Sequence, residues 1–166
     1  FDAKNLTHIG EGAFMGCFAL KEFDLKGNDK IESIGTGAFE GTTSLESIYI
    51  PKSVTSLGES VFRSSGVKSV EFSGENLLSE IPISTFSGCT ALTDVKFSSH
   101  IVRIDDYAFG ACSSLKEIKL PETLTEIGNN VFVGCTSLSS LVIPDTVTSI
   151  GMTTLMGCSS LKELTI

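Results

Sequence analysis

Basic residues are scarce in this chain. Twelve Lys and Arg stand against 20 Asp and Glu, a net charge of −8 over 166 residues. Proteins that neutralise nucleic-acid phosphates need a basic stripe, so this balance excludes nucleic acid as a partner and argues equally against anionic membrane surfaces. Long apolar runs are also missing: nothing approaches the roughly 20 residues of a spanning helix, and no membrane insertion is expected of this segment. The opening residues, Phe1 to Asn5, lack the charged and apolar regions of a secretory leader. Histidine is limited to His8 and His100, which fall in different parts of the pattern described below and have no reason to meet. No catalytic group is assigned, and no enzyme activity is expected.

What the chain does have is repetition. Phe14, Phe39, Phe62, Phe86, Phe109 and Phe132 recur every 23–25 residues, and Leu155 takes the seventh place. A fixed period of this size marks stacked supersecondary units, none of which buries its own apolar face. Around each anchor, other positions recur in register. Two apolar rows sit two residues apart, as side chains on one face of a strand must. One row is Phe23, Ile48, Val70, Val95, Ile118, Leu141 and Leu164, and the other is Leu25, Ile50, Phe72, Phe97, Leu120, Ile143 and Ile166. Pro51, Pro121 and Pro144 follow the second row, where proline ends a strand by removing a ladder donor. A return leg carries Ile9, Ile34, Leu57, Ile81, Ile104, Ile127 and Ile150, often preceded by a Thr that favours extended backbone (Thr7, Thr55, Thr125, Thr148). The run Asp105-Asp106-Tyr107-Ala108-Phe109 reads as one helical or 3₁₀ turn that drives the ring inward.

Five cysteines, Cys17, Cys89, Cys112, Cys135 and Cys158, fall three residues after the anchor, with Thr42 and Ser65 in the other two repeats. Stacked coils set neighbours roughly 5 Å apart, but parallel side chains disfavour the dihedral near ±90° that a disulfide needs. The expectation is a ladder of buried, reduced thiols. The glycine after the return leg (Gly10, Gly35, Gly58, Gly128, Gly151) gives way to Pro82 and Asp105 in two repeats. Proline fixes φ near −65°, so this glycine is expected to serve close approach and not a left-handed backbone. The two extra residues around Gly27-Asn28 are expected to bulge as a surface turn. Asp105-Asp106 and Asn28-Asp29 do not make a complete oxygen cage, so no metal site or cofactor is assigned. Leu120-Pro121-Glu122-Thr123 touches a sortase sorting signal, yet each residue is explained by the repeat.

The fullest copies, Pro121 through Cys135 above all, read Pro-x-x-Leu-Thr-x-Ile-Gly-x-x-Ala-Phe-x-Gly-Cys, with Val131 at the alanine place. This resembles the leucine-rich repeats of the BspA-like, treponemal-type class, and the resemblance covers essentially the whole chain. It implies an α/β solenoid: a right-handed leucine-rich-repeat array of about seven 23-residue coils with a parallel sheet along one side, forming a single domain over residues 1–166. It also implies a cell-surface or secreted bacterial protein with an adhesin-like, protein-binding role. The pattern runs from the first residue to the last, so the chain is expected to be a piece of a longer protein.

Between the two inward residues of each strand lies one outward position: Asp24, Tyr49, Glu71, Lys96, Lys119, Val142 and Thr165. Two residues earlier lies a second outward row that includes Asp94 and Glu117. Side chains two apart share a face, so Asp94 with Lys96 and Glu117 with Lys119 are expected to form a mixed-charge patch. Tyr49 and Val142 are the contact candidates on it, since both are costly to expose. The six binding candidates are therefore Tyr49, Asp94, Lys96, Glu117, Lys119 and Val142. The expected partner is a protein ligand such as a host extracellular protein. Tyr107, on the opposite turn, is a second option, and a spacer projecting another domain, or an accessory domain of a larger surface enzyme, is the alternative.

Overall fold

In the computed structural model, which describes residues 3–166, the repeats stack into one continuous solenoid. Phe1 and Asp2, the first of the opening residues read above as lacking the features of a leader, lie outside the described residues. Twelve short strands run in chain order: β1 (His8–Ile9), β2 (Ser33–Ile34), β3 (Ser47–Ile50), β4 (Ser56–Leu57), β5 (Ser69–Phe72), β6 (Glu80–Ile81), β7 (Asp94–Lys96), β8 (Arg103–Ile104), β9 (Glu126–Ile127), β10 (Ser140–Val142), β11 (Ser149–Ile150) and β12 (Glu163–Thr165). We number the coils 1 to 7 by their anchors, from Phe14 to Leu155. All pairings are parallel and join equivalent positions of successive coils, such as Ile48 with Val70 and Val70 with Val95. The return legs pair as β1-β2-β4 and β6-β8-β9-β11, and the strand side as β3-β5-β7 and β10-β12.

The core is the set of inward rows. Successive anchor rings stack at centroid distances of 5.1, 5.5, 5.6, 5.3 and 5.7 Å from Phe14 to Phe132, all within 18° of parallel. Phe39 through Phe132 are fully buried. A buried side chain of this size stabilises by roughly 1.5–3 kcal/mol, and here each ring is covered by the coils above and below it. The inward rows are buried apart from half-buried Phe14 and Phe97, up to the last return leg and strand, where Ile150, Leu164 and Ile166 are exposed with no further coil stacked on them among the described residues.

The α component of the expected α/β class is not found. Among the described residues there is no helix, and the anchor turn is a run of tight turns. In coil 5, alternate N–H groups do different things. Ala108, Gly110 and Cys112 donate to carbonyls three residues back, while Tyr107, Phe109 and Ala111 donate to Asn129, Val131 and Val133 of the next coil. A helix would spend both sets on itself. The alternation requires left-handed backbone two residues before and two residues after each anchor. Both rows are left-handed in all seven coils: Gly12, Gly37, Ser60, Ser84, Tyr107, Asn130 and Thr153 before, and Gly16, Gly41, Ser64, Gly88, Ala111, Gly134 and Gly157 after.

The return-leg glycines behave as expected. None has positive φ, and a Cβ on Gly58 would lie 2.3 Å from the Thr36 amide nitrogen of the preceding coil, with similar approaches at Gly35, Gly128 and Gly151; Gly10, in the first coil, is the exception, with nothing within 4 Å. The Gly27-Asn28 insertion is corrected in part: Lys26 and Gly27 do form an exposed turn, but Asn28 does not belong to it. Asn28 does not bulge into solvent but is buried, its amide donating to the Ala3 and Leu6 carbonyls at 2.5 and 3.0 Å and its oxygen accepting from the Lys30 and Ile31 N–H groups at 2.8 Å. Asn76 does the same two corners further on, donating to Pro51 and Val54 carbonyls and accepting from the Leu78 N–H. An insertion that leaves carbonyls facing inward needs such a partner, because a buried carbonyl without one is costly.

Candidate functional site

The strand side places the outward row as a line of side chains across successive coils. Its residues follow from the two-residue alternation of each strand: Ile48 and Ile50 point in, so Ser47 and Tyr49 point out. Asp94, Lys96, Glu117, Lys119 and Val142 are all exposed, Val142 at 60%, and Tyr49 is half-buried. Register puts Tyr49 beside Glu71 and Glu71 beside Lys96, and it puts Lys119 beside Val142. The Lys26 ammonium lies 5.7 Å from the centroid of the Tyr49 ring, within cation–π range.

Two grooves run along this face. One, of about 420 Å³, lies between Glu22, Tyr49, Glu71 and Lys96; the other, of about 500 Å³, lies between Asp94, Glu117, Lys119 and Val142. They meet at Asp94, which lines both. All six candidates from the sequence thus line one grooved face. The charges expected to form a mixed patch, Asp94 with Lys96 and Glu117 with Lys119, are exposed on this face, and among the described residues neither couple makes an ion pair. Most of the pairs that do form join neighbouring coils away from this row, as in Glu46 to Lys68 at 2.9 Å and Lys52 to Glu75 at 3.3 Å. The Lys68 ammonium, donating a hydrogen bond to Glu46, holds that exposed carboxyl below its usual value.

Sequence reasoning missed that the strand side is not one sheet. It is split between β7 and Glu117–Leu120, and the strand position Glu22–Leu25 is not paired with β3. Periodicity carries no signal for this, because the inward rows continue through both breaks.

The other candidate groups are used structurally. The Asp105 carboxylate pairs with Arg103, and Asp106 accepts from the Asn129 N–H at 2.7 Å. The thiols make a ladder without bridges: Cys89, Cys112, Cys135 and Cys158 each donate to the anchor carbonyl of the preceding coil, from Phe62 to Phe132, at 2.9–3.2 Å. Burial pushes the Cys89 thiol up to about 11 and the Cys135 thiol up to about 12, and Cys112 rises for the same reason. Two thiols depart from the expectation of full burial. Cys17 is exposed and Cys158 half-buried, since each lies in a terminal coil covered on one side only. Tyr107 is 45% exposed on the opposite turn, in left-handed backbone that a bulky residue rarely adopts.

Comparison with known proteins gives one consistent result. The family described as BspA type leucine-rich repeat region matches in six copies, over residues 3–93 and 79–166. A leucine-rich repeat protein of Bacteroides ovatus is 32% identical over 97% of this chain and 46% of its own, with a TM-score of 0.73. One from Eubacterium ventriosum is 28% identical over 96% of this chain and 45% of its own, with a TM-score of 0.81. A leucine-rich cell surface protein of Faecalibacterium prausnitzii is 25% identical over 98% and 57%, with a TM-score of 0.58. The chain therefore spans about half the length of the solved relatives it matches. No curated protein matches it.

Proposed function

Since the chain belongs to the BspA-type leucine-rich repeat family, we propose that residues 1–166 form a single, non-enzymatic repeat domain whose strand face binds a protein, in the manner of an adhesin. The observation that carries this reading is the grooved outward row. Six residues that the repeat does not need for its core line two adjoining grooves, with an aromatic ring and an exposed valine among charges of both signs. Core residues explain the fold, whereas exposed Val142 and half-buried Tyr49 point away from it. A surface or secreted location fits, as one relative is described as a cell surface protein. The partner class is an extracellular protein of a host or neighbouring cell.

The test is capture of host extracellular matrix proteins by the immobilised domain, compared with Tyr49→Ala and Lys119→Ala. Both side chains point away from the core, so both variants should unfold at the wild-type temperature. Anchors near the centre of an interface carry most of its energy, and capture should fall about tenfold or more in each. Unchanged capture in both variants would remove this face as the binding site. Capture that depends only on the number of coils would favour a spacer.

A further inference from the structure

The chain is acidic as a whole, yet one edge of the solenoid is basic. At the corner between each anchor turn and the strand after it stands one exposed residue. Lys21, Lys68, Lys116 and Lys162 hold this place after Phe14, Phe62, Phe109 and Leu155, and Glu46, Thr93 and Ser139 hold it after Phe39, Phe86 and Phe132. The lysines therefore fall on alternate coils. Backbone rungs fix the register: Glu46 N–H donates to Lys21, Lys68 to Glu46, Thr93 to Lys68, Ser139 to Lys116 and Lys162 to Ser139. Only the step from Thr93 to Lys116 lacks a rung, and there the anchor turns hold the same coils in line, Phe86 N–H donating to Ala108. Paired strands lie about 4.8 Å apart, so lysines on alternate coils are about 10 Å apart. Four ammonium groups thus face a single carboxylate, Glu46, which pairs with Lys68. Among the described residues Lys21, Lys116 and Lys162 make no ion pair.

A polar groove of about 470 Å³ opens along the first half of this row. It lies where the chain is one residue short. Other corners carry two residues there, as in Thr43-Ser44 and Thr90-Ala91, and this one carries only Gly66, on which a Cβ would overlap the Thr43 carbonyl. Lys21 and Lys68 flank the groove, and the hydroxyls of Ser44, Ser64 and Thr90 in its wall make no hydrogen bond among the described residues. The acids of the neighbouring outward row, Glu22, Asp94 and Glu117, line the strand-face grooves and not this one.

We propose that this corner binds a linear acidic polysaccharide with one carboxylate per disaccharide, laid along the row from Lys21 to Lys162. Two sugar residues advance such a chain by about the distance of two coils, so successive carboxylates meet successive lysines. The neutral sugars between them lie over Glu46, Thr93 and Ser139, and their hydroxyls exchange hydrogen bonds with Ser44, Ser64 and Thr90. A nucleic acid fits poorly, since its phosphates recur about every 3.4 Å along a strand and no aromatic side chain lines the groove to stack a base. At physiological salt, charges beyond about 8 Å are screened. The remote acids behind the net charge of −8 therefore weigh little against contacts made at the row. No residue is shared between this groove and the two on the strand face, so the site is separate from the one proposed above.

The probe is a hyaluronan octasaccharide, in which glucuronate alternates with N-acetylglucosamine, added to the isotopically labelled full chain at physiological salt and followed by amide shifts. Lys21, Gly66, Lys68, Lys116 and Lys162 should shift together and saturate, and a tetrasaccharide should bind more weakly because it meets fewer lysines. Lys21→Gln with Lys116→Gln should weaken binding about tenfold. Lys96→Gln with Lys119→Gln removes the same charge from the strand face and should leave binding unchanged. All four side chains are exposed, so both double variants should stay folded. The exchange Lys116→Ser with Ser139→Lys keeps the net charge but moves one ammonium by one coil, and should weaken binding as much as Lys116→Gln alone. Equal losses in the two double variants, or no loss on the exchange, would mean undirected charge attraction and would overturn the proposal. So would equally tight binding of a polyglutamate peptide or a single-stranded oligonucleotide of the same charge, or an absence of shifts. The strand-face reading stands or falls separately, on Tyr49→Ala and Lys119→Ala.

Discussion

The Cys89 thiol donates a hydrogen bond to the carbonyl of Phe62, the anchor of the preceding coil, at 2.9 Å. The backbone rungs of the anchor turn run the other way, from Phe62 N–H to Thr85 of the following coil. A cysteine three residues after the anchor thus gives a second donor to a carbonyl that already accepts an N–H within its own turn, as Phe62 does from Ser65, and Cys112, Cys135 and Cys158 repeat the arrangement.

The thiols should therefore differ in reactivity by position. With a thiol reagent at neutral pH, Cys17 should react first and Cys158 next, while Cys89, Cys112 and Cys135 wait for unfolding, since the thiolate is the reactive form and burial suppresses it. All five should titrate after denaturation without reductant. Three thiols instead of five would reveal a bridge.

The same burial sets an alkaline limit. An unfolded thiol ionises near 8.5, whereas Cys89 and Cys135 hold their protons to about 11 and 12. Between those values the unfolded chain binds fewer protons than the native one, so stability falls as pH rises. Each such thiol contributes up to about 1.4 kcal/mol per pH unit. Urea midpoints measured from pH 7 to 10.5 should decline steadily above about pH 8.5, and Cys89→Ser with Cys135→Ser should flatten the decline.

Ala111 occupies a left-handed position, φ 57°, that glycine fills in five of the seven coils. Left-handed backbone costs an L-residue roughly 1–2 kcal/mol, less the greater freedom that glycine loses. Ala111→Gly should raise stability by about 0.5–1 kcal/mol in chemical denaturation. A loss would show that this φ is not held in solution.

Gly58→Ala should act in the opposite direction. Its Cβ would meet the backbone of Gly35 and Thr36 rather than a yielding side chain, so a loss of about 1–3 kcal/mol or more is expected from overpacking. Wild-type stability would mean that the coils separate more easily than their stacking implies.

At the buried corner, Asn76→Ala strands the Val54 carbonyl and the Leu78 N–H and removes one of the two donors to the Pro51 carbonyl, and should cost about 2–4 kcal/mol. Ser53, at the corner before it, carries the one buried side-chain oxygen without a partner among the described residues. Thr146 fills the equivalent place in coil 7 and donates to the Glu122 and Leu124 carbonyls. Ser53→Thr should gain about 0.5–1 kcal/mol, measured in the same denaturation series.

The inward rows, the ring column and the outward candidates were legible because each depends on which way a side chain points, and periodicity reports direction. The path of the backbone hydrogen bonds was less legible. Phe109 sits in a turn that looked helical, because Asp105 through Phe109 carries no breaker. The available signal was glycine two residues after the anchor, at Gly16, Gly41, Gly88, Gly134 and Gly157, supported by Gly12 and Gly37 two residues before it. Asn28 was misplaced because its polarity matches a surface turn as well as a buried corner. The break beside Glu117 left no trace, since Val95 and Ile118 preserve the row on either side of it.

The break in the strand side has a mechanical meaning. A rod of stacked coils pulled end to end carries load through the rungs between successive coils, and rungs loaded together share it. Where Asp94–Phe97 faces Lys116–Leu120 the strand side adds no rungs, and where Ser56–Leu57 faces Glu80–Ile81 the return legs add none. Pulled from its two ends, the rod would yield at one of these joints before the joint between β5 and β7, where strand side, return leg and turn all carry rungs.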